Sequence, residues 1–130
     1  MKTFSSGLKL INNTPLVELK RLKKELGLVA NIYAKVESLN LTGSIKDRIV
    51  LNIVNELEKI YRLDKNFVII EATSGNTGIA LSAIAAIKQF KAIIVMPENM
   101  SKERQKLMVA YGAKLVLTPK ELGMQGAKNK

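Results

Sequence analysis

Residues 40–50, NLTGSIKDRIV, place an amine where a helix backbone already carries positive potential. Ser44 stands as an N-cap, and Asp47 three residues on completes an S-x-x-D capping box, so Lys46 falls in the first helical turn. A helix start carries roughly +0.5 of an elementary charge, which welcomes Asp47 and disfavours an ammonium. These residues alone leave two readings open. Lys46 is one surface lysine among many, or its amine is wanted uncharged, as a nucleophile that can condense with a carbonyl. A second segment, TSGNTG at 73–78, offers Gly75 and Gly78 for tight turns and close backbone approach, with polar side chains from Thr73, Ser74, Asn76 and Thr77. It joins a strand-like run to a helix-like one, and amide groups at such a helix start favour an anion. The plain alternative is a polar turn in which Asn76 serves as a cap. The G-x-G-x-x-G spacing of a dinucleotide fingerprint is absent.

Composition narrows the chemistry. The chain has no cysteine and no histidine, which excludes disulfides, the usual zinc sites and His-based triads, and no metal site is expected. Acid–base work at neutral pH therefore falls to Lys, Tyr or a carboxylate. With 130 residues, 47% hydrophobic and 25% charged, the chain has the profile of one globular domain with a real core. No apolar run is long enough to span a bilayer, and the N-terminus MKTFSSGLKL lacks the apolar stretch of a signal peptide. A cytoplasmic protein without a membrane partner is the expectation. The net charge of +10 suits an anionic partner, nucleic acid included. The basic residues are scattered, however, and aromatic residues at 5% are too few for base-stacking platforms, so nucleic acid is not the expected partner.

The elements that must position these groups follow from periodicity. The runs 14–19 (TPLVEL) and 32–37 (IYAKVE) are short strand candidates separated by a lysine-rich segment. A helix is expected over 44–61, with Ile45, Ile49, Ile53, Leu57 and Ile60 recurring at helical spacing. Strands are expected at 67–72 (FVIIEA), 92–96 (AIIVM) and 115–118, the last two stopped by Pro97 and Pro119. The Ala-rich run 76–90 is apolar on most sides and reads as a buried helix. Another helix spans 101–111, with Ser101 as cap and Gly112 at its C′ position, and one more opens at Gly123. Apolar strands alternating with helices imply an α/β fold, a parallel sheet with helices on both faces in three layers. Met96 and Met108 read as core filler, Glu98 as a solvated loop carboxylate, and Lys102, Arg104 and Lys106 as a solvated helix face.

Taken together and in this order, SIKDR, EATSGNTGIALSAIAA, MPENMSKERQKLMVAYGAKLVLTP and GMQGA resemble the cysteine synthases (O-acetylserine sulfhydrylases). These are pyridoxal-phosphate enzymes of the tryptophan-synthase-β-like fold. The resemblance runs from about Thr14 to the last residue and covers the family's N-terminal portion; Leu41-Thr42 departs from the Pro-Gly often found before Gly-Ser. It implies that Lys46 forms a Schiff base with pyridoxal phosphate, that Asn76 hydrogen-bonds the ring hydroxyl, and that Thr73, Ser74, Gly75, Asn76 and Thr77 grip the substrate carboxylate. The implied reaction is β-replacement: the substrate amine displaces Lys46, whose freed amine removes the α-proton, acetate leaves O-acetylserine, and sulfide adds to give L-cysteine. The resemblance also implies that residues 1–39 contribute strands to a larger domain and that 40–130 form most of a smaller α/β domain, truncated at its C-terminal end. The loop that cradles the cofactor phosphate then lies outside this chain. A homodimer and a serine acetyltransferase partner are implied as well. The SIKDR lysine motif is shared with cystathionine β-synthases and threonine dehydratases. Two other classes remain: a short product without catalysis that acts as an interaction module, and a basic nucleic-acid binder.

Overall fold

A computed structural model describes residues 3–130. The described residues form two sheets. Strands β1 (Leu16–Glu18) and β2 (Tyr33–Lys35) pair antiparallel, with Val17 opposite Ala34. Between them a short helix, α1 (Lys20–Glu25), occupies the lysine-rich segment that periodicity left without structure. Its Arg21 and Glu25 pair one turn apart at 2.7 Å, a contact of the kind that stabilises a solvated helix by a few tenths of a kcal/mol.

The second sheet holds β3 (Val68–Ala72), β4 (Lys91–Pro97) and β5 (Lys114–Thr118) in sequence order, every pair parallel. Ile70 lies opposite Ile93, and Ile94 opposite Leu115. Helices α2 (Lys46–Ile60), α3 (Asn76–Lys88) and α4 (Lys102–Ala110) are the connections, and α5 (Gly123–Lys128) lies against all three strands. Helices α3 and α4 pack against each other, as two crossovers of the same hand would place them. The expected parallel α/β architecture is therefore present, with helix ends within one or two residues of expectation.

The reasons are local. Gly78 to Ala85 of α3 are buried without interruption, so this helix sits in the middle of the molecule, flanked by α2 and α4. Its apolar side chains meet Ala92, Ile94 and Met96 of β4 and Met108 of α4 in one core, and each such burial contributes about 1.5–3 kcal/mol for the larger residues. Met96 and Met108 are both fully buried, as core filler should be. Gly78 permits the close approach: a Cβ there would lie 2.8 Å from Met108 Cε and 3.3 Å from Ile94 Cγ2. Helix α3 ends where Gln89 turns left-handed at φ 64°. Helix α4 ends in a Schellman motif, with Gly112 at φ +89° and the Ala113 amide donating to Met108 O at 3.1 Å. Ser101 caps α4 by accepting from the Arg104 amide at 3.4 Å.

Two findings depart from the sequence reading. The Ile45, Ile49 and Ile53 stripe of α2 is 52%, 44% and 52% exposed, and α2 meets the core through Val50 and Val54 instead. On the other side of the sheet, Val68 and Ile70 of the edge strand β3 are also exposed.

Candidate active site

The seven-residue connection 61–67 returns the chain from the end of α2 to the start of β3, so the two run in opposite directions. The first turn of α2 thus lies at the end of β3 that feeds the 73–75 loop. A cavity of about 100 Å³ reflects this juxtaposition: Val50, Ile53 and Val54 of α2 line it together with Glu71 of β3 and Thr77 of α3. Lys46 precedes Val50 by four residues and so shares its helix face, one turn nearer the loop.

The start of α2 is built differently from the expected capping box. The helix begins at Lys46, and Ile45 already has helical angles and no capping side chain. Ser44 Oγ accepts from the Lys46 amide at 3.2 Å instead of reaching the third residue of the helix. The Asp47 carboxylate is fully buried and turns back to Thr42, accepting from its amide at 2.6 Å and from its hydroxyl. The reason is the tight turn at Gly43, φ +82°, which folds Thr42 over the helix start and supplies two donors that Ser44 cannot. A buried carboxylate near a helix N-terminus is favoured by the dipole as well. Thr42, at the position of the departure from the family pattern, is therefore a ligand of Asp47.

In the loop, the Thr73 amide extends the sheet by donating to Val95 O at 3.1 Å, and Thr73 Oγ1 accepts from the Gly75 amide at 3.4 Å. Gly75 is the N-cap of α3 and brings no capping side chain. The first amides of α3 thus have no intrahelical acceptor. Thr73, Ser74, Gly75 and Thr77 are half-buried and Asn76 is exposed. Among the described residues, the side chains of Lys46, Ser74, Asn76 and Thr77 make no hydrogen bond or ion pair. This end of the sheet thus holds several unspent hydroxyl and amide groups and a helix start that favours negative charge, with the half-buried Lys46 in the first turn of the neighbouring α2.

Two contributions were not legible in the sequence. Arg104 belongs to the exposed face of α4, yet its Nη1 lies 4.0 Å from where a Cβ of Gly75 would stand, so a cation stands beside the loop. Its guanidinium has no hydrogen bond or ion pair among the described residues. Gln105 is buried and donates to Glu98 O at 3.3 Å and to Met100 O at 3.0 Å, holding the loop after β4 while the Glu98 side chain stays exposed. Lys102 and Lys106 are exposed, as expected. No signal in the sequence brings residue 104 to residue 75, because the contact depends on the parallel register of β3 and β4.

A doubly connected parallel sheet with a glycine-flanked polar loop and, packed beside it, a helix that begins at a lysine matches a known class. The pattern of the family described as pyridoxal-phosphate dependent enzyme covers residues 8–130, and the chain belongs to that family. Within it, the chain is 50% identical over 127 residues to a cysteine synthase from a Flavobacterium species, covering 98% of this chain and 40% of the relative. It is likewise 50% identical over 119 residues to cysteine synthase B of Salmonella typhimurium, covering 92% of this chain and 39% of that protein. Among solved structures, the cysteine synthase of Entamoeba histolytica superposes with a TM-score of 0.91 at 42% identity, over 98% of this chain and 38% of that one. The chain therefore spans about 40% of the length of the curated relatives it matches. No helix among the described residues is long and apolar enough to cross a membrane.

Proposed function

We propose that this chain is the lysine-bearing portion of a pyridoxal-phosphate dependent cysteine synthase that joins O-acetylserine and sulfide into L-cysteine by β-replacement. The observation that supports the reading is that Val50, one turn beyond Lys46 on α2, lines a cavity together with Thr77 of the 73–77 loop. The donor set suits the cofactor's reactive end: a half-buried amine without an ion-pair partner for the aldehyde, and the Asn76 amide for a ring hydroxyl. When bound, pyridoxal phosphate supplies an electron sink for a carbanion at the substrate α-carbon. Lys46 Nζ would hold the cofactor through its aldehyde and, when free, would be the base that accepts the substrate α-proton. The amides at the start of α3, with the Thr73, Ser74 and Thr77 hydroxyls, hold the substrate carboxylate against the positive end of the helix. Residues 1–39 and 40–130 are proposed as parts of a larger and a smaller domain, with the phosphate cradle supplied from outside this chain. The homodimer and the serine acetyltransferase partner belong to the same proposal.

The test is chemical. The chain is mixed with pyridoxal phosphate, reduced with borohydride and mapped by peptide mass. The expected result is preferential labelling of Lys46 over the exposed lysines, lost at that position in Lys46→Ala. Equal labelling of all exposed lysines would refute the assignment.

A further inference from the structure

A polar hub lies under the start of α2, and the chemistry above does not use it. Arg48 donates from Nε to Glu37 Oε2 at 2.7 Å and from Nη2 to Glu37 Oε1 at 2.9 Å. The same guanidinium reaches Thr14 Oγ1 at 2.7 Å and Asn12 Oδ1 at 3.0 Å. Thr14 Oγ1 donates to Glu37 Oε1 at 2.8 Å, and Asn40 Nδ2 donates to Glu37 Oε2 at 2.6 Å. Both oxygens of the carboxylate are thus doubly hydrogen-bonded. Asn40 also donates to Ser44 O at 3.0 Å and accepts from the Asn12 amide at 3.3 Å. Thr14 and Asn40 are buried, and the Arg48 and Glu37 side chains are only 27% and 18% exposed.

The hub joins three segments, around residues 12–14, 37–40 and 44–48, and the last contains Lys46. Ser44, whose carbonyl the hub binds, accepts from the Lys46 amide through its hydroxyl. Residues 46 and 48 lie about 200° apart around a helix, so the hub grips the face of α2 opposite the one that carries Lys46 and Val50. A bidentate guanidinium–carboxylate pair fixes direction as well as distance, and a fully satisfied network admits one arrangement.

We propose that Glu37 and Arg48 are positioning residues for Lys46: their paired forks, backed by Thr14 and Asn40, set the rotation and depth of the first turn of α2 and so aim the amine at the 73–77 loop. The inference rests on the reading of Lys46 as the attaching amine. A tie that merely stabilises the fold would weaken every part of the molecule together and would leave the selectivity for Lys46 unchanged until unfolding.

The test uses the whole chain, pyridoxal phosphate as the probe and borohydride trapping. It reads the label at Lys46 relative to Lys59 and Lys114, which are exposed and lie at the far end of the sheet. Hydrogen exchange is followed at the α3 amides and at the first turn of α2. Glu37→Gln keeps the shape and removes the charge, and Arg48→Lys keeps the charge and removes the fork. In both, the relative label at Lys46 is expected to fall by roughly tenfold, short of the ~100-fold that a misplacement of about an ångström can cost. Protection in the first turn of α2 should fall while α3 protection stays at its wild-type level. Ile84→Ala, a core change away from the hub, should lower α3 protection and leave the labelling ratio alone. An unchanged ratio in both hub variants would overturn the positioning role, as would a ratio that falls only in step with α3 protection and does so in Ile84→Ala too. A wild-type chain with no preference for Lys46 would overturn the functional reading and the positioning role together, and that result is separate from the other two.

Discussion

Gly78→Ala tests the packing that sets the 73–77 loop on the sheet. A Cβ at residue 78 would lie 2.8 Å from Met108 Cε, 2.9 Å from Thr73 Cγ2 and 3.3 Å from Ile94 Cγ2. Carbon atoms are at ease near 3.5–4.0 Å, so at least two of these neighbours must move. Met108 Cε is the end of a flexible side chain, but Met108 is wholly buried, so the displaced methyl has little room. Thr73 is stiff at χ1, and Ile94 sits on the central strand. Helix propensity favours alanine by about 1 kcal/mol, whereas overpacking of a filled core costs about 1–3 kcal/mol. Two contacts under 3.0 Å put this site in the upper part of that range, about 2–3 kcal/mol, so the expected net loss is about 1–2 kcal/mol, which for a chain of this size lowers the melting temperature by about 3–8 °C. Circular dichroism during urea and thermal unfolding measures it. The cause is checked with Met108→Ala, which opens space beside residue 78: the double variant should lose less than the two single losses added together. A Gly78→Ala protein that melts at or above wild type, or strict additivity with Met108→Ala, would refute the steric argument.

Two further predictions concern the start of α2. The Arg48 guanidinium, helped by Thr14 and Asn40, holds the Glu37 carboxyl down from its ordinary 4.5 to about 2. The unfolded chain therefore takes up this proton first, so the contribution is complete above about 4.5 and is lost as pH falls from there to about 2. The melting temperature should drop across that window more steeply in wild type than in Glu37→Gln, and parallel curves would show that the pair does not contribute. Thr42→Val removes one of two donors to the buried Asp47 carboxylate and should cost about 1–3 kcal/mol in urea unfolding, with Thr42→Ser recovering most of it. An unaltered midpoint in Thr42→Val would mean that the hydroxyl is dispensable.

The parts of the fold that rest on local pattern were legible. The Ala-rich run is apolar on most sides because residues 78–85 are buried without a break, and the apolar runs 67–72, 92–96 and 115–118 are strands paired in parallel, β4 running one residue further at each end to include Pro97. Ser101 and Gly112 mark the ends of α4 because caps depend on nearest neighbours only. The stripe Ile45–Ile49–Ile53 told of a helix but not of its inward face, since periodicity does not say which neighbour is present. The capping box at Ser44 failed for a similar reason. A turn at Gly43 delivered Thr42 as a better ligand for Asp47, and spacing alone does not register a competing donor. Of the site, Lys46 and the 73–77 loop were visible as types in a pattern. The tie from Arg48 to Asn12, Thr14 and Glu37 was not, because it spans up to 36 residues and depends on how β1 and β2 seat the N-terminal segment.

The free margin of β3 has a physical consequence for the chain in solution. Among the described residues, one side of that strand pairs with no other strand, beside the exposed Val68 and Ile70, and such an edge is a template onto which a further strand can add. What opposes such addition is mutual repulsion between molecules of net charge +10. That repulsion reaches only about 10 Å at 0.1 M salt and about 3 Å at 1 M. Where that margin stays uncovered, added electrolyte should promote self-association, with light scattering from the chain rising with salt.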